Sequence, residues 1–148
     1  MVVWKAGGVR IRPFQPADSD AIIALWEAAG LTRPWNDPVQ DIARKATVQP
    51  ELFVVAEDES GRILGSVMAG YDGHRGWMNF LATQPDARGL GIGRDLVAYV
   101  EKELHERGCP KVSLQVRAGN AQVVDFYRRL GYEVDDTIVM GKRLIVDE

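Results

Sequence analysis

The pattern of apolar and polar positions predicts strands and helices in a regular order along the chain. Alternating or short apolar runs, typical of strands, lie at 9–14, 51–57, 62–71, 77–83, 111–117 and, as two strands, from 132 to the end. Apolar residues at helical spacing predict helices at 16–30, 38–47, 92–107 and 121–130. The order β α α β β β α β α β β predicts an α/β (α+β) fold with residues 1–148 as a single domain.

Cap residues place the ends of these helices. Asp18 or Ser19, Asp37 and Asn120 precede three of the apolar stripes and are predicted N-caps. Gly108 follows the third stripe and is a predicted C′ residue. These boundaries place the loops in which candidate functional residues occur.

The loop before the third helix, "QPDARGLGIGRDL" at 84–96, has glycines at three alternate positions. Glycine costs backbone entropy, and an ordinary turn rarely needs three in five residues. Small residues at a helix N-terminus let backbone N–H groups approach an anion, and two arginines, Arg88 and Arg94, bracket the loop. A pyrophosphate fits this chemistry; a glycine-rich turn with a solvated arginine pair is the equal alternative on these residues alone.

Common nucleotide-binding loops do not match this stretch. A Walker A loop requires GxxxxGK[ST], which the chain lacks. A dinucleotide fingerprint requires GxGxxG, but position 94 is arginine, and Gln115 and Arg117 stand where an acidic residue is expected. We therefore predict neither an ATP nor an NAD site.

Composition and charge further restrict which classes of function and of site the chain can have. The net charge of −3, without a block of like charges, argues against a broad nucleic-acid surface. The chain has no run near the ~20 apolar residues of a membrane span. Its single cysteine, Cys109, excludes an internal disulfide and suits a reducing cytoplasm. Two distant histidines, His74 and His105, give no metal-site spacing.

Two motifs resemble those of the GNAT acetyltransferases. "ARGLGIG" fits the [Q/R]xxGx[G/A] loop of that family, and "NAQVVDFYRRLGY" at 120–132 resembles its NxxxxxFYxxxGF signature. The resemblance covers the whole chain, and "RPWNDP", "AGYDGHRG" and "GKRLI" look like a YpeA-type subgroup. It implies a mixed, mostly antiparallel seven-stranded sheet with about four helices and a V-shaped splay between the central strands.

The resemblance implies an N-acetyltransferase with acetyl-CoA as co-substrate and no metal. Backbone groups of the glycine loop would hold the CoA pyrophosphate, the preceding strand would pair with the pantetheine arm, and a strand N–H near Leu81 or Ala82 would meet the oxyanion. The implied CoA-binding residues are Leu81, Ala82, Thr83, Arg88, Gly89, Leu90, Gly91, Ile92, Gly93, Arg94, Asn120 and Tyr127. Asn120 also has its N-cap role, and Leu81 and Ala82 are equally suited to core packing.

Tyr127 matches the general acid of the family, which donates to the departing CoA thiolate. A phenol of ordinary pKa ~10 is protonated at neutral pH and suits this role. Without the motif, an aromatic residue on an apolar helix face is better read as core. The motif favours the role of general acid for Tyr127.

The general base is not evident. Several relatives carry a glutamate on the strand before the glycine loop, but 77–83 contains no carboxylate. Ribosomal-protein N-terminal acetyltransferases carry "LEVR", whereas this chain has "LQVR" with Gln115, which argues against that role. Asp72 and His74 are the catalytic candidates, with a water relay as an alternative; a solvated turn histidine is an equal reading of His74.

Two polar loops, 33–38 and 71–76, are the candidate acceptor site, expected to meet beside the thioester. The candidate residues are Arg33, Trp35, Asn36, Asp37, Tyr71, Asp72 and His74. The plainer alternative is that Asp37 caps a helix, Trp35 packs on the core and 71–76 is a tight turn.

The acceptor would be a primary amine of a small molecule, amino acid or peptide N-terminus. A non-catalytic acyl-CoA-binding or regulatory module is the alternative function, and acetylation of tRNA-bound aminoacyl groups is a third that the acidic balance disfavours. We expect no membrane partner, and the oligomeric state, a homodimer included, is left open.

Overall fold

The computed structural model describes residues 3–5 and 7–147 of the chain. Six strands form one sheet: β1 (Val3–Lys5), β2 (Val9–Pro13), β3 (Phe53–Glu57), β4 (Ile63–Tyr71), β5 (Gly76–Thr83) and β6 (Val112–Leu114). Four helices accompany it: α1 (Ser19–Ala28), α2 (Pro38–Lys45), α3 (Ile92–Glu106) and α4 (Ala121–Arg129). The four predicted helices are thus confirmed.

The strands lie in chain order across the sheet. The first four neighbouring pairs are antiparallel, and β5 and β6 are parallel. The parallel pair is connected through α3, since parallel neighbours need a long crossover. This arrangement confirms the mixed, mostly antiparallel sheet.

The predicted strand count of seven is wrong for the described residues. β1 was not predicted, and residues 130–147 form no strand although their sequence is strand-like. Large apolar side chains there, such as Ile138 (90% exposed) and Leu144 (88%), find no sheet face to cover. The segment is instead joined to the region before α2, where Asp147 accepts the Asp37 N–H at 3.0 Å and Arg143 donates to Asn36 at 3.0 Å.

Helices cover both faces of the sheet. The α3 stripe, including Ile92, Leu96 and Leu104, packs with Tyr127 of α4 on one face. Ile22 and Trp26 of α1 pack on the other face with residues of α2 and β3. Alternate side chains of a strand face opposite sides, and β3, buried along its whole length, supplies both cores.

The cap predictions have mixed outcomes. Asp37 accepts the Val39 N–H at 2.9 Å and Asn120 accepts the Val123 N–H at 3.3 Å, so both side chains cap their helices. Gly108 follows Arg107, the C-cap residue of α3, and has φ +84°, which confirms the C′ prediction. Asp18 occupies the N-cap position of α1 but makes no capping bond. Its carboxylate binds Arg12 instead.

Among the described helices, none is both long and apolar enough to cross a membrane.

Candidate active site

The glycine loop forms an open surface at the N-terminus of α3. Gly89 and Gly91 have φ of +86° and +77°, and Gly91 is the N-cap residue. Side chains rarely adopt such values, so glycine is required. A Cβ added to Gly89 would have no neighbouring atom within 4 Å. The Gly89 backbone is therefore open to solvent, close to the end of α3 where the helix dipole favours an anion.

The third glycine of the loop serves helix packing. Gly93 lies in the first turn of α3, and a Cβ there would approach Phe126 Cζ of α4 to 3.3 Å. Ile92 beside it is buried in the core, so only its backbone faces the loop. Gly93 therefore lets α4 come close to the start of α3.

The charged and apolar side chains of this loop point outwards. Arg88, Leu90 and Arg94 are exposed, and Arg94 Nε lies 3.7 Å from Asp95 Oδ1. Leu90 is 58% exposed. Both arginines are thus exposed to solvent, Arg88 directly before Gly89 and Arg94 in the first turn of α3.

β5 has a bulge just before the loop. In the register of β4 and β5, Ser66 faces Ala82 and Met68 faces Asn79, so Val67 lies opposite both Phe80 and Leu81. Phe80 has φ +54°, in the left-handed region. A bulge takes a backbone group out of the ladder and turns the strand.

The pairing of β5 with β6 ends just before this bulge. The parallel pairing covers Gly76–Met78 of β5 and ends at Met78 opposite Leu114. Asn79 to Thr83 therefore continue without a β6 partner in the described register. The bulge therefore lies in the part of β5 that has no β6 partner, and the V-shaped splay stays a prediction.

Tyr127 reaches the core from α4. It is 8% exposed, with its ring edge-on to Phe126 at 5.1 Å and to Tyr132 at 5.5 Å. Burial raises the pKa of Tyr127 to about 12. The phenol is therefore neutral and remains a proton donor throughout the physiological range. Asn120, at the N-cap of the same helix, is exposed.

The loop before α2 lies near the end of β6. Trp35 is 48% exposed, and the guanidinium carbon of Arg117 lies 5.5 Å from the centre of its ring. Arg33 and Asn36 close a short turn through the Asn36 N–H, 3.1 Å from the Arg33 carbonyl. Sequence reasoning missed Arg117 as a neighbour of Trp35, because no local pattern relates positions so far apart.

The β4–β5 turn lies elsewhere. Asp72 accepts the backbone N–H groups of His74 and Arg75, each at 2.7 Å. These bonds lower the pKa of Asp72, so its carboxylate is occupied and a weak base. The His74 side chain is exposed. Two hydrogen bonds join the Tyr71 backbone to the Gln49 side chain: the Tyr71 N–H donates to Gln49 Oε1 at 2.8 Å, and the Tyr71 C=O accepts from Gln49 Nε2 at 3.0 Å.

The structure does not bring the two predicted acceptor loops together. Asp37 precedes α2, whereas Gln49, which follows α2, is the residue bound to Tyr71. α2 has eight residues, a length of about 12 Å at 1.5 Å per residue. The Trp35 loop and the His74 turn are thus at opposite ends of this helix.

A cavity of about 730 Å³ lies along β6 and α4. Tyr127, Gln115 and residues 130–135 are among its lining, in the region where predicted strands after α4 would extend the sheet. Across the part of the chain that the structure describes, no cluster of His, Cys, Asp or Glu is arranged to hold a metal ion.

Known proteins resemble this chain in sequence. The sequence profile described as "Acetyltransferase (GNAT) family" matches residues 20–132. This chain belongs to the GNAT acetyltransferase family. A protein of Yersinia enterocolitica named as an acetyltransferase is 53% identical over 140 residues, covering 95% of this chain and 99% of that protein.

Solved GNAT structures share the fold. Naa20 of Chaetomium thermophilum, in complex with a bisubstrate analogue, superposes with a TM-score of 0.69 at 27% identity, covering 84% of this chain and 70% of that one. The ribosomal-protein-S18-alanine N-acetyltransferase of Escherichia coli superposes with a TM-score of 0.69 at 24% identity, covering 83% and 76%.

Proposed function

We propose that this GNAT protein is an acetyl-CoA-dependent N-acetyltransferase that transfers the acetyl group directly to a primary amine in a ternary complex. The observation that carries the proposal is the exposed backbone of Gly89 just before the N-cap of α3, in the loop that follows the part of β5 without a β6 partner in the described register. Transfer to an amine is supported by the Escherichia coli structural neighbour, which is an N-acetyltransferase.

In this proposal, residues 88–94 bind the pyrophosphate of acetyl-CoA. The N–H groups at the start of α3 supply fixed partial positive charge. Arg88 and Arg94 add charge from the solvent side. Leu81 to Thr83 offer the unpaired side of β5 to the pantetheine arm, and the backbone of the bulge binds the acetyl carbonyl, where donors stabilise developing negative charge.

Tyr127 acts on the leaving sulfur. As the amine nitrogen bonds to the acetyl carbon, the C–S bond breaks and its electron pair stays on sulfur. A phenol of pKa about 12 is a weaker acid than a thiol of pKa ~8.5, so complete transfer is uphill by about 5 kcal/mol. Tyr127 therefore stabilises the thiolate as a hydrogen-bond donor, and the proton lost by the amine returns to sulfur through water.

The acceptor approaches from the side of Trp35. Trp35 and Arg117 present an aromatic ring and a cation close to the C-terminal end of β6. An acceptor with a carboxylate near its amine, such as an amino acid or a peptide N-terminus, suits Arg117 and Arg33. An α-amino group of pKa ~7.7–8.0 is also easier to deprotonate than a lysine of pKa ~10.4. Water is the better proton relay, because Asp72 and His74 lie beyond the far end of α2.

Two matched glycine variants test whether the exposed backbone at Gly89 binds acetyl-CoA. Gly89 (φ +86°) and Gly108 (φ +84°) have the same backbone strain and equally free space around a new Cβ, but only Gly89 is in the loop. We expect Gly89→Ala to weaken acetyl-CoA binding at least tenfold in calorimetry, because its methyl occupies the pyrophosphate position. Gly108→Ala should bind as wild type does.

Turnover separates the enzyme from the alternative function. Release of free thiol from acetyl-CoA in a screen of amino acids, N-terminal peptides and polyamines supports the transferase. Tight acetyl-CoA binding without turnover for any acceptor supports a non-catalytic acyl-CoA-binding module. Equal acetyl-CoA binding by both glycine variants and wild type contradicts the proposed binding site at Gly89.

The cytoplasmic location, the single domain and the YpeA-type subgroup stay predictions.

A further inference from the structure

A buried polar contact between α1, β4 and β5 supports the β5 bulge. Ser66 of β4 and Trp26 of α1 both have no solvent-exposed surface. The Trp26 indole Nε1–H donates to Ser66 Oγ at 3.0 Å, and Ser66 Oγ–H donates to the Phe80 carbonyl at 3.4 Å. An indole is only a donor, so it occupies a lone pair of the hydroxyl and leaves the hydroxyl proton for Phe80.

The same residue of the bulge is held a second time, through its ring. The rings of Trp26 and Phe80 stack at 4.1 Å with an angle of 17° between their planes. Trp26 also stacks on Phe53 at 6.2 Å, and Phe53 on Phe14 at 4.3 Å. The Phe80 ring is thereby tied to α1, β3 and the end of β2.

Phe80 needs this support because its backbone is strained. It is one of two non-glycine residues with positive φ in the described part of the chain, and the other is Gln49. Bulky side chains disfavour the left-handed region, and such conformations persist only where their surroundings enforce them. Relaxation of Phe80 would shift the backbone of Leu81, the next residue of the bulge.

We propose that Trp26 and Ser66 are positioning residues, which hold Phe80 in its strained conformation and so keep the Leu81 N–H in place to bind the acetyl carbonyl. The inference rests on the proposed function. Core packing alone gives no reason for the polar atoms, because a buried hydroxyl and indole N–H cost desolvation that an apolar pair avoids.

The test compares variants that remove the contact with one that only weakens the same core. Ser66→Ala removes both hydrogen bonds, and Trp26→Phe removes the donor but keeps a stacked ring. Val55→Ala is the matched control, since Val55 is fully buried in the same cluster and lies opposite Ser66 in the β3–β4 register, so it changes packing beside Ser66 without removing either hydrogen bond. Ser66→Thr, which retains a hydroxyl, is the conservative variant.

We expect Ser66→Ala and Trp26→Phe to lower kcat about 10- to 100-fold, the usual cost of a misplaced group. The affinity for CoA itself should stay within about twofold, while the preference for acetyl-CoA over CoA is lost, because only the acetyl carbonyl meets the bulge. Ser66→Thr should recover most of kcat. Val55→Ala, measured well below its unfolding temperature, should retain wild-type kcat.

A readout without substrate keeps this inference separate from the proposed function. The backbone amide signals of Phe80, Leu81 and Ala82 in the free protein should shift more in Ser66→Ala and Trp26→Phe than in Val55→Ala, and the Leu81 amide should exchange faster. If wild type does not bind acetyl-CoA, the proposed function fails while these signals still report on the support of the bulge. Bulge signals and kcat that match those of Val55→Ala in both variants overturn the inference.

Discussion

Tyr127 and Tyr132 are two neighbouring tyrosines with different hydroxyl environments. The Tyr132 hydroxyl donates to Glu101 at 2.7 Å, and burial together with that carboxylate raises the pKa of Tyr132 strongly. Burial alone raises the pKa of Tyr127 to about 12. Their rings are in edge contact. Removing each hydroxyl separately therefore distinguishes a chemical role from a packing role in one part of the core.

We expect Tyr127→Phe to lower kcat by about 10²- to 10⁴-fold with little change in acetyl-CoA affinity, because the ring still packs but the donor to the thiolate is lost. Tyr132→Phe should change kcat less than threefold. Because a group of pKa about 12 stays protonated below it, the wild-type kcat should show no alkaline decline due to Tyr127 up to about pH 11. Steady-state kinetics across pH measure both effects, and equal kcat values for the two variants would make Tyr127 a core residue only.

At the scale of elements, the helices and the central strands could be predicted because their signals are local. The stripe of α3, from Ile92 to Leu104, and the caps Asp37 and Asn120 each depend on residues within a few positions. The same local reasoning gave strands from 132 onwards. A strand also needs a neighbouring strand, and the contact that positions the segment, Asp147 with Arg44, joins residues far apart in sequence.

The candidate site likewise has features that the sequence predicts locally and features that depend on contacts with distant parts of the chain. A glycine with positive φ has a local cause, and the loop at Gly89 and Gly91 was evident from its spacing. Asp72 and His74 were chosen by chemical type alone, but Asp72 is used within its own turn. The bulge at Phe80 depends on the register of β4 against β5, which the sequence of β5 does not reveal.

The contact between β4 and α3 is tight enough to be tested by a methyl group. A Cβ added to Gly65 would lie 2.9 Å from Ile92 Cγ2 and 3.0 Å from the Ala82 carbonyl oxygen. Gly70, on the same strand, would meet only the ends of the Gln49 and Lys45 side chains, at 3.3 and 3.9 Å. The atoms around Gly65 belong to the core and the backbone and can move less than the side-chain ends around Gly70.

We expect Gly65→Ala to lower the free energy of unfolding by about 1–3 kcal/mol, the usual cost of overpacking. Gly70→Ala should cost under about 1 kcal/mol, since a side-chain end moves more easily than backbone. Urea denaturation measures both. Because Ile92 and Ala82 flank the glycine loop and the bulge, Gly65→Ala should also weaken acetyl-CoA binding. Equal stability of the two variants would show that α3 shifts without cost.

For the whole molecule, a buried ion cluster links three elements on the α1 side of the sheet. Arg12 of β2 donates to both oxygens of Asp18, at 2.8 and 2.9 Å, and to Glu57 of β3, at 3.1 and 3.0 Å. Arg10 also pairs with Glu57, at 2.6 Å. The Arg12 residue is 6% exposed. Asp18 precedes α1, so the cluster fixes where this helix begins relative to the sheet.

Protonation of the two carboxylates should control acid stability. Burial alone would raise the pKa of Asp18, but the bonds from Arg12 and the Gln15 N–H lower it; the bonds from Arg12 likewise lower the pKa of Glu57. Folded-state values below the unfolded ~3.9 and ~4.3 mean that this stabilisation is complete above about pH 5 and is lost as pH falls through the folded pKa values.

Arg12→Met removes the buried cation shared by the two carboxylates and leaves Asp18 with only the Gln15 N–H and Glu57 with only Arg10 as partners among the described residues, at a cost of about 3–5 kcal/mol near pH 7. Without Arg12 the pKa values of these carboxyls rise, so they become neutral on mild acidification and the deficit relative to wild type should shrink between pH 5 and pH 3. Urea denaturation at several pH values measures this difference. The triple variant Arg12→Met, Asp18→Leu, Glu57→Leu should recover much of the stability at pH 7, because none of these three positions then buries a charge. A deficit of Arg12→Met that stays constant from pH 7 to pH 3 would show that Arg12 stabilises the fold through its packing and not through these charges.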